Sequence, residues 1–108
     1  MKSATREGVT IVTPVGRVDT STAKAFEDGV MGAIAANNKV AIAFNEIDYI
    51  SSAGLRVVLM AGKKLTASKG TLVIINIPEK ILTIFKMSGF DKILKICPTF
   101  EESKSFFN

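Results

Sequence analysis

The sequence predicts an α/β domain with a largely parallel sheet, and three observations carry that expectation. Short β-branched runs alternate along the chain with segments of helical periodicity, the order that strand–helix–strand crossovers impose. Thr71 to Asn76 reads as a strand with a continuous apolar run, Leu72 to Ile75, as strands buried on both faces have. No linker, repeat or low-complexity tract interrupts the 108 residues, so the chain reads as one domain, 1–108.

Taken in order, residues before Gly8 allow a short first strand. Val9-Thr10-Ile11-Val12-Thr13-Pro14-Val15 is β-branched and alternating, and it places Val9, Ile11 and Val15 toward a core. Pro14 lacks a backbone donor, so this strand lies at an edge or stops there. Gly16-Arg17-Val18-Asp19 reads as punctuation, with N-cap candidates from Asp19 to Ser21. A helix from about Thr20 to Ala36 then presents Ala23, Phe26, Val30, Ala33 and Ile34 on one face. Gly29 and Gly32 weaken it, and close helix–sheet packing is the expected compensation.

Val40-Ala41-Ile42-Ala43-Phe44 alternates large and small apolar residues and reads as a buried strand. The segment Glu46 to Ile50 leads into a helix marked by Leu55, Val58, Leu59, Gly62 and Leu65, so Ser51 and Ser52 fall at a strand-to-helix turn. Ser68-Lys69-Gly70 turns the chain into the Thr71 strand. Pro78 suits the first turn of a third helix with Ile81, Leu82, Ile84 and Phe85 inward, and Gly89 supplies its left-handed stop. Ile93 to Ile96 is a last short strand. Thr99-x-x-Glu102 is a capping-box signature for a helix from Phe100 to about Phe107.

Composition excludes several classes. With no histidine, one cysteine and scattered carboxylates, neither His-based catalysis nor a metal centre is expected, and no cofactor site or catalytic residue can be named. Cys97 reads as a small apolar filler. The net charge of +4 is dispersed, with Lys63-Lys64 and Lys69 the densest group and no aromatic interleaving, so no nucleic-acid face is expected. No apolar run approaches the ~18 residues that cross a bilayer, and Met1 to Gly8 lacks a signal-peptide core. A cytoplasmic protein without membrane insertion is the expectation.

The chemistry concentrates at the two serines. Helices favour a serine at the N-cap, which is one role for Ser51 or Ser52. A hydroxyl there, beside Gly54, also lies where backbone N–H groups and the helix dipole favour an anion, and a phosphate would add roughly −1.5 to −2 charge.

Asp48-Tyr49-Ile50-Ser51-Ser52-Ala53-Gly54-Leu55 resembles the phosphorylation-site loop of the STAS family, the bacterial anti-sigma factor antagonists. Gly16-Arg17-Val18-Asp19 resembles the family's Gly-x-Leu/Val/Ile-Asp motif, and Met87-Ser88-Gly89-Phe90 its usual helix stop. The resemblance covers nearly the whole chain and implies a STAS-like fold, a four- to five-stranded, mostly parallel mixed sheet with about four helices. Aligned on Gly54-Leu55, it carries the phosphorylated serine onto Ser52, with Ser51 second in order. The sequence departs from the family pattern at Ser51 and at Ala43, where relatives often carry Asp.

The resemblance further implies a partner-switching cycle. The unphosphorylated chain binds an anti-sigma factor that is also a GHKL-type serine kinase, phosphorylation releases it, and a PP2C-type phosphatase resets it. The implied partner-binding patch is Arg17, Asp19, Tyr49, Ser51, Ser52, Gly54 and Arg56, with Lys63, Lys64 and Lys69 outside it. Arg17 and Arg56 are the cations expected to hold a phosphate. Some stand-alone relatives instead serve as the soluble subunit of a lipid-transport ABC complex, which is the alternative function.

Overall fold

The computed structural model describes residues 1–107. A five-stranded sheet runs in the order β1-β2-β4-β6-β7, formed by Lys2–Arg6, Val9–Thr13, Lys39–Ala43, Thr71–Ile75 and Lys95–Cys97. Only β1 is antiparallel, paired with β2 across Glu7-Gly8, where both residues take positive φ. The remaining pairs are parallel, so the sheet is mixed and mostly parallel. The helices are α1 (Ala23–Ala36), α2 (Ser52–Ala67), α3 (Glu79–Met87) and α4 (Phe100–Ser103).

The alternation in β4 explains the layering. Val40 and Ile42 face α1, α2 and α3, joining Val12, Phe26, Val30, Leu55, Val58, Leu65, Ile74 and Phe85 in the larger core. Ala41 and Ala43 face the other side, where Val9, Val73, Ile75 and Cys97 pack under Phe100 and Phe107. Large residues therefore sit on the face carrying three helices. Small ones sit beneath the short C-terminal segment. Arg6 and Lys104 hold Glu101, and both cations lie over the Phe100 ring, fastening that segment to the β1–β2 hairpin.

Several expectations are corrected. Gly16–Val18 and Ile47–Ile50 are strands, β3 and β5, which pair in parallel as a separate two-stranded ribbon. Val15, expected inward, lies on the connection to that ribbon and is 54% exposed. Helix α1 begins three residues later than expected, because Asp19 and Thr22 first close a hydrogen-bonded turn. The space around Gly32 is open, and Gly29 faces the flexible Met1 side chain, so neither glycine reports close helix–sheet packing. A 3-10 turn over Phe90–Lys92 displaces the last strand to Lys95–Cys97, and a second 3-10 turn, Lys104–Phe107, completes the terminus after α4. At Gly89, φ is +79°, the left-handed stop that its sequence position predicts. Cys97 is buried, and burial together with the Glu102 charge pushes its thiol pKa up, as suits a filler.

Candidate functional site

The two-stranded ribbon builds the site. Chain leaving β2 turns at Gly16, where φ is +84°, and Gly16 N donates to Glu46 O at 2.9 Å. That bond draws the start of β3 against β5. The pairing then sets Arg17 opposite Tyr49 and Val18 opposite Ile50. Its last rung is Ser51 N donating to Val18 O at 2.7 Å. Asp19 and Ser51 are thus the next residues out of two adjacent strands, although thirty-two positions separate them in sequence. Parallel neighbours β2 and β4 deliver both loops to one edge, the usual binding edge of open α/β sheets.

At the start of α2 the two serines divide two tasks. Ser51 has extended backbone (φ −88°, ψ 172°) and is the N-cap, its Oγ accepting from Gly54 N at 3.3 Å. This is the position where the family pattern has Asp, and Asp caps equally well. Ser52 is the first helical residue, is exposed, and no hydrogen bond engages its hydroxyl among the described residues. Gly54 is buried, and a Cβ there would come within 2.7 Å of Val18 Cγ1 and 2.8 Å of Ile50 Cγ1. The glycine therefore lets the first turn of α2 rest on the ribbon and fixes where the serines stand.

On the β3 side, Asp19 Oδ1 accepts from Ser21 Oγ at 2.7 Å, Ser21 N at 3.0 Å and Thr22 N at 3.2 Å. The Ser21 hydroxyl, followed by the backbone and Thr22 donors, lowers the Asp19 pKa against a partial desolvation. Arg17 Nε lies 3.5 Å from Asp19 Oδ2, and its guanidinium stacks 4.4 Å from the centre of the Tyr49 ring. Arg17, Asp19 and Tyr49 are thus in direct contact, with Ser51 beside them at the end of the ribbon. Asp48 is exposed beside it, whereas Glu46 is engaged by Lys2 at 2.9 Å.

Arg56 stands apart from that cluster. Exposed and without an ion-pair partner among the described residues, it lines a groove between α1 and α2 together with Lys63 and Lys64. The groove places Lys63 and Lys64 beside Arg56. Lys69 does lie elsewhere, in a separate hollow with Asn38 and Phe107. Sequence reading missed the Arg17–Tyr49 stack, for which no sequence signal exists. It also missed the shared groove, although residues 53, 56, 57, 60, 63 and 64 repeat at helical spacing. Among the described residues, no group of three or more His, Cys, Asp or Glu side chains could hold a metal ion, and no helix is long and apolar enough to cross a membrane.

Comparison with known proteins identifies the family. The STAS domain family model matches residues 1–103. The chain belongs to the STAS domain family. BtrV of Bordetella bronchiseptica, assigned as an anti-sigma factor antagonist, is 30% identical over 102 residues, covering 94% of this chain and 88% of BtrV. The crystal structure of a Thermotoga maritima protein assigned the same role shares the STAS fold with a TM-score of 0.90 at 21% identity, covering 98% of this chain and 92% of that one. The phosphorylated form of the Bacillus cell fate determinant SpoIIAA matches with a TM-score of 0.71 at 19% identity, over 96% of each chain.

Proposed function

We propose that this STAS chain is an anti-sigma factor antagonist, a protein-interaction switch thrown by phosphorylation of Ser52. The observation that carries the reading is the division of labour at α2: Ser51 is occupied as the cap, while the Ser52 hydroxyl is exposed and free to react. The phosphorylated SpoIIAA and the anti-sigma factor antagonist BtrV lend it support. The unphosphorylated chain binds an anti-sigma factor that carries GHKL-type serine kinase activity. In the transfer, Ser52 Oγ forms a bond to the γ-phosphorus of ATP, ADP leaves, and the hydroxyl proton passes to the kinase. A PP2C-type phosphatase then hydrolyses the ester and restores the hydroxyl. The chain itself performs no catalysis, and the cycle runs in the cytoplasm.

The physics of release follows from burial. An unmodified hydroxyl costs little to desolvate in an interface, whereas a phosphate dianion costs far more and repels facing carboxylates. The ribbon surface of Arg17, Asp19, Tyr49 and Ser51, together with Ser52 and the underlying Gly54, meets the partner. Arg17 is committed to Asp19 and Tyr49, which leaves Arg56, one helical turn beyond Ser52, as the cation available to a phosphate. Phosphopeptide mass spectrometry of the chain isolated from its own cells tests the assignment. Phosphate on Ser52 is expected; phosphate confined to Ser51, or none in any growth state, overturns it.

A further inference from the structure

The groove beside Arg56 runs along α1 and α2 and encloses about 600 Å³. Its floor is apolar, made by Ala23 of α1 and Ala53, Val57 and Met60 of α2, with Met60 38% exposed. Its rim is cationic: Lys24, Arg56, Lys63 and Lys64, against Glu27 as the single acid among the lining residues described. Lys24 is held by Asp28 at 3.1 Å, while Arg56, Lys63 and Lys64 have no ion-pair partner among the described residues. From Ala53 to Lys64 the groove follows α2 for about 16 Å, or three helical turns. An apolar floor between positive walls, at this length, matches one acidic amphipathic helix laid in the groove. A nucleic-acid backbone would use the cations and leave the floor unsatisfied.

We infer that the α1–α2 groove docks an acidic amphipathic helix of the partner, and that a phosphate on Ser52 withdraws Arg56 from that contact. The second clause rests on the Ser52 reading above; the first does not. Ser52 precedes Arg56 by four residues on one face of α2, the order in which an anion and a cation pair best on a helix. A phosphate there pairs with Arg56 and adds negative charge at the groove's mouth, so the acidic helix loses a cation and gains a repulsion. Lys63 and Lys64, which the family resemblance leaves outside the patch, become part of the interface.

The probe is a helical peptide of about four turns, Leu on one stripe and Glu elsewhere, with a Lys-for-Glu counterpart and a single-stranded oligonucleotide as controls. Each is titrated into isotope-labelled full-length protein and followed by amide chemical shifts at fixed salt. The acidic peptide is expected to move the amides of Lys24, Ala53, Arg56, Met60 and Lys63 and to bind at least about tenfold more tightly than its basic counterpart. The exposed double variant Lys63→Glu, Lys64→Glu should abolish that preference. Equal binding of the two peptides, binding at another face, or an oligonucleotide binding the groove more tightly overturns the docking claim. Phosphoserine placed at position 52 should weaken the peptide about tenfold, and by distinctly less in an Arg56→Ala background. The same loss in both backgrounds overturns the Arg56 coupling while leaving Ser52 phosphorylation standing.

Discussion

Replacing each serine by alanine should separate folding from signalling. Ser51→Ala removes the cap and leaves Gly54 N, buried against Val18 and Ile50, without an acceptor. A lost N-cap costs about 1 kcal/mol in general, and the 3.3 Å bond places this one at or somewhat below that value. For a domain of this size that is a fall in Tm of about 4 °C. Ser52→Ala removes an exposed hydroxyl with no hydrogen bond in the structure, so stability should stay within about 0.5 kcal/mol of the wild type. Phosphate transfer from ATP should respond in the opposite order, lost in Ser52→Ala and retained in Ser51→Ala. Differential scanning calorimetry and a radiolabelled phosphotransfer assay on the same two preparations read both quantities. If Ser51→Ala kept the wild-type Tm but refused phosphate, the assignment of cap and acceptor would be reversed.

Two further outcomes follow from neighbouring contacts. Gly54→Ala forces a methyl against Val18 and Ile50 and should destabilise by about 1–3 kcal/mol in denaturant unfolding; an unchanged midpoint would mean that α2 does not rest on the ribbon as described. The Asp19 pKa is lowered in the folded chain, so the stability it contributes is complete above its ordinary 3.8 and is lost as pH falls through the lower folded value. Asp19→Asn should therefore flatten the acid limb of the stability–pH curve below 3.8, and a limb identical to wild type would contradict the turn around Ser21 and Thr22.

The main sheet was legible because its strands are strongly patterned. Val40 to Phe44 and Thr71 to Ile75 are too apolar for any other place, and Gly89 and Thr99 act as the stop and cap their types suggest. The β3–β5 ribbon was hidden for a physical reason. Three- and four-residue strands carry too few positions for a period to show, and Ile47-Asp48-Tyr49-Ile50 buries its two ends rather than alternate residues. The site was half legible. The family resemblance grouped Asp19 with the serines, but which serine caps α2 depends on a single backbone conformation. That Arg17 stacks on Tyr49 depends on pairing across the ribbon, which no local pattern encodes, whereas the helical spacing of Arg56, Met60, Lys63 and Lys64 did carry their shared groove.

The start of α2 is pinned twice, by Ser51 Oγ to Gly54 N and by Val18 O to Ser51 N, and neither bond involves the Ser52 side chain. A mark written on Ser52 therefore leaves the scaffold as it was, apart from a dipole gain of about 0.3–1 kcal/mol. By that gain alone a marked chain would populate opened, protease-sensitive states about two- to fivefold less than an unmarked one, since degradation follows the population of opened states. Under the proposed cycle, the ratio between them stores the balance of two opposing enzymes, and turnover tilts it only modestly toward the marked form.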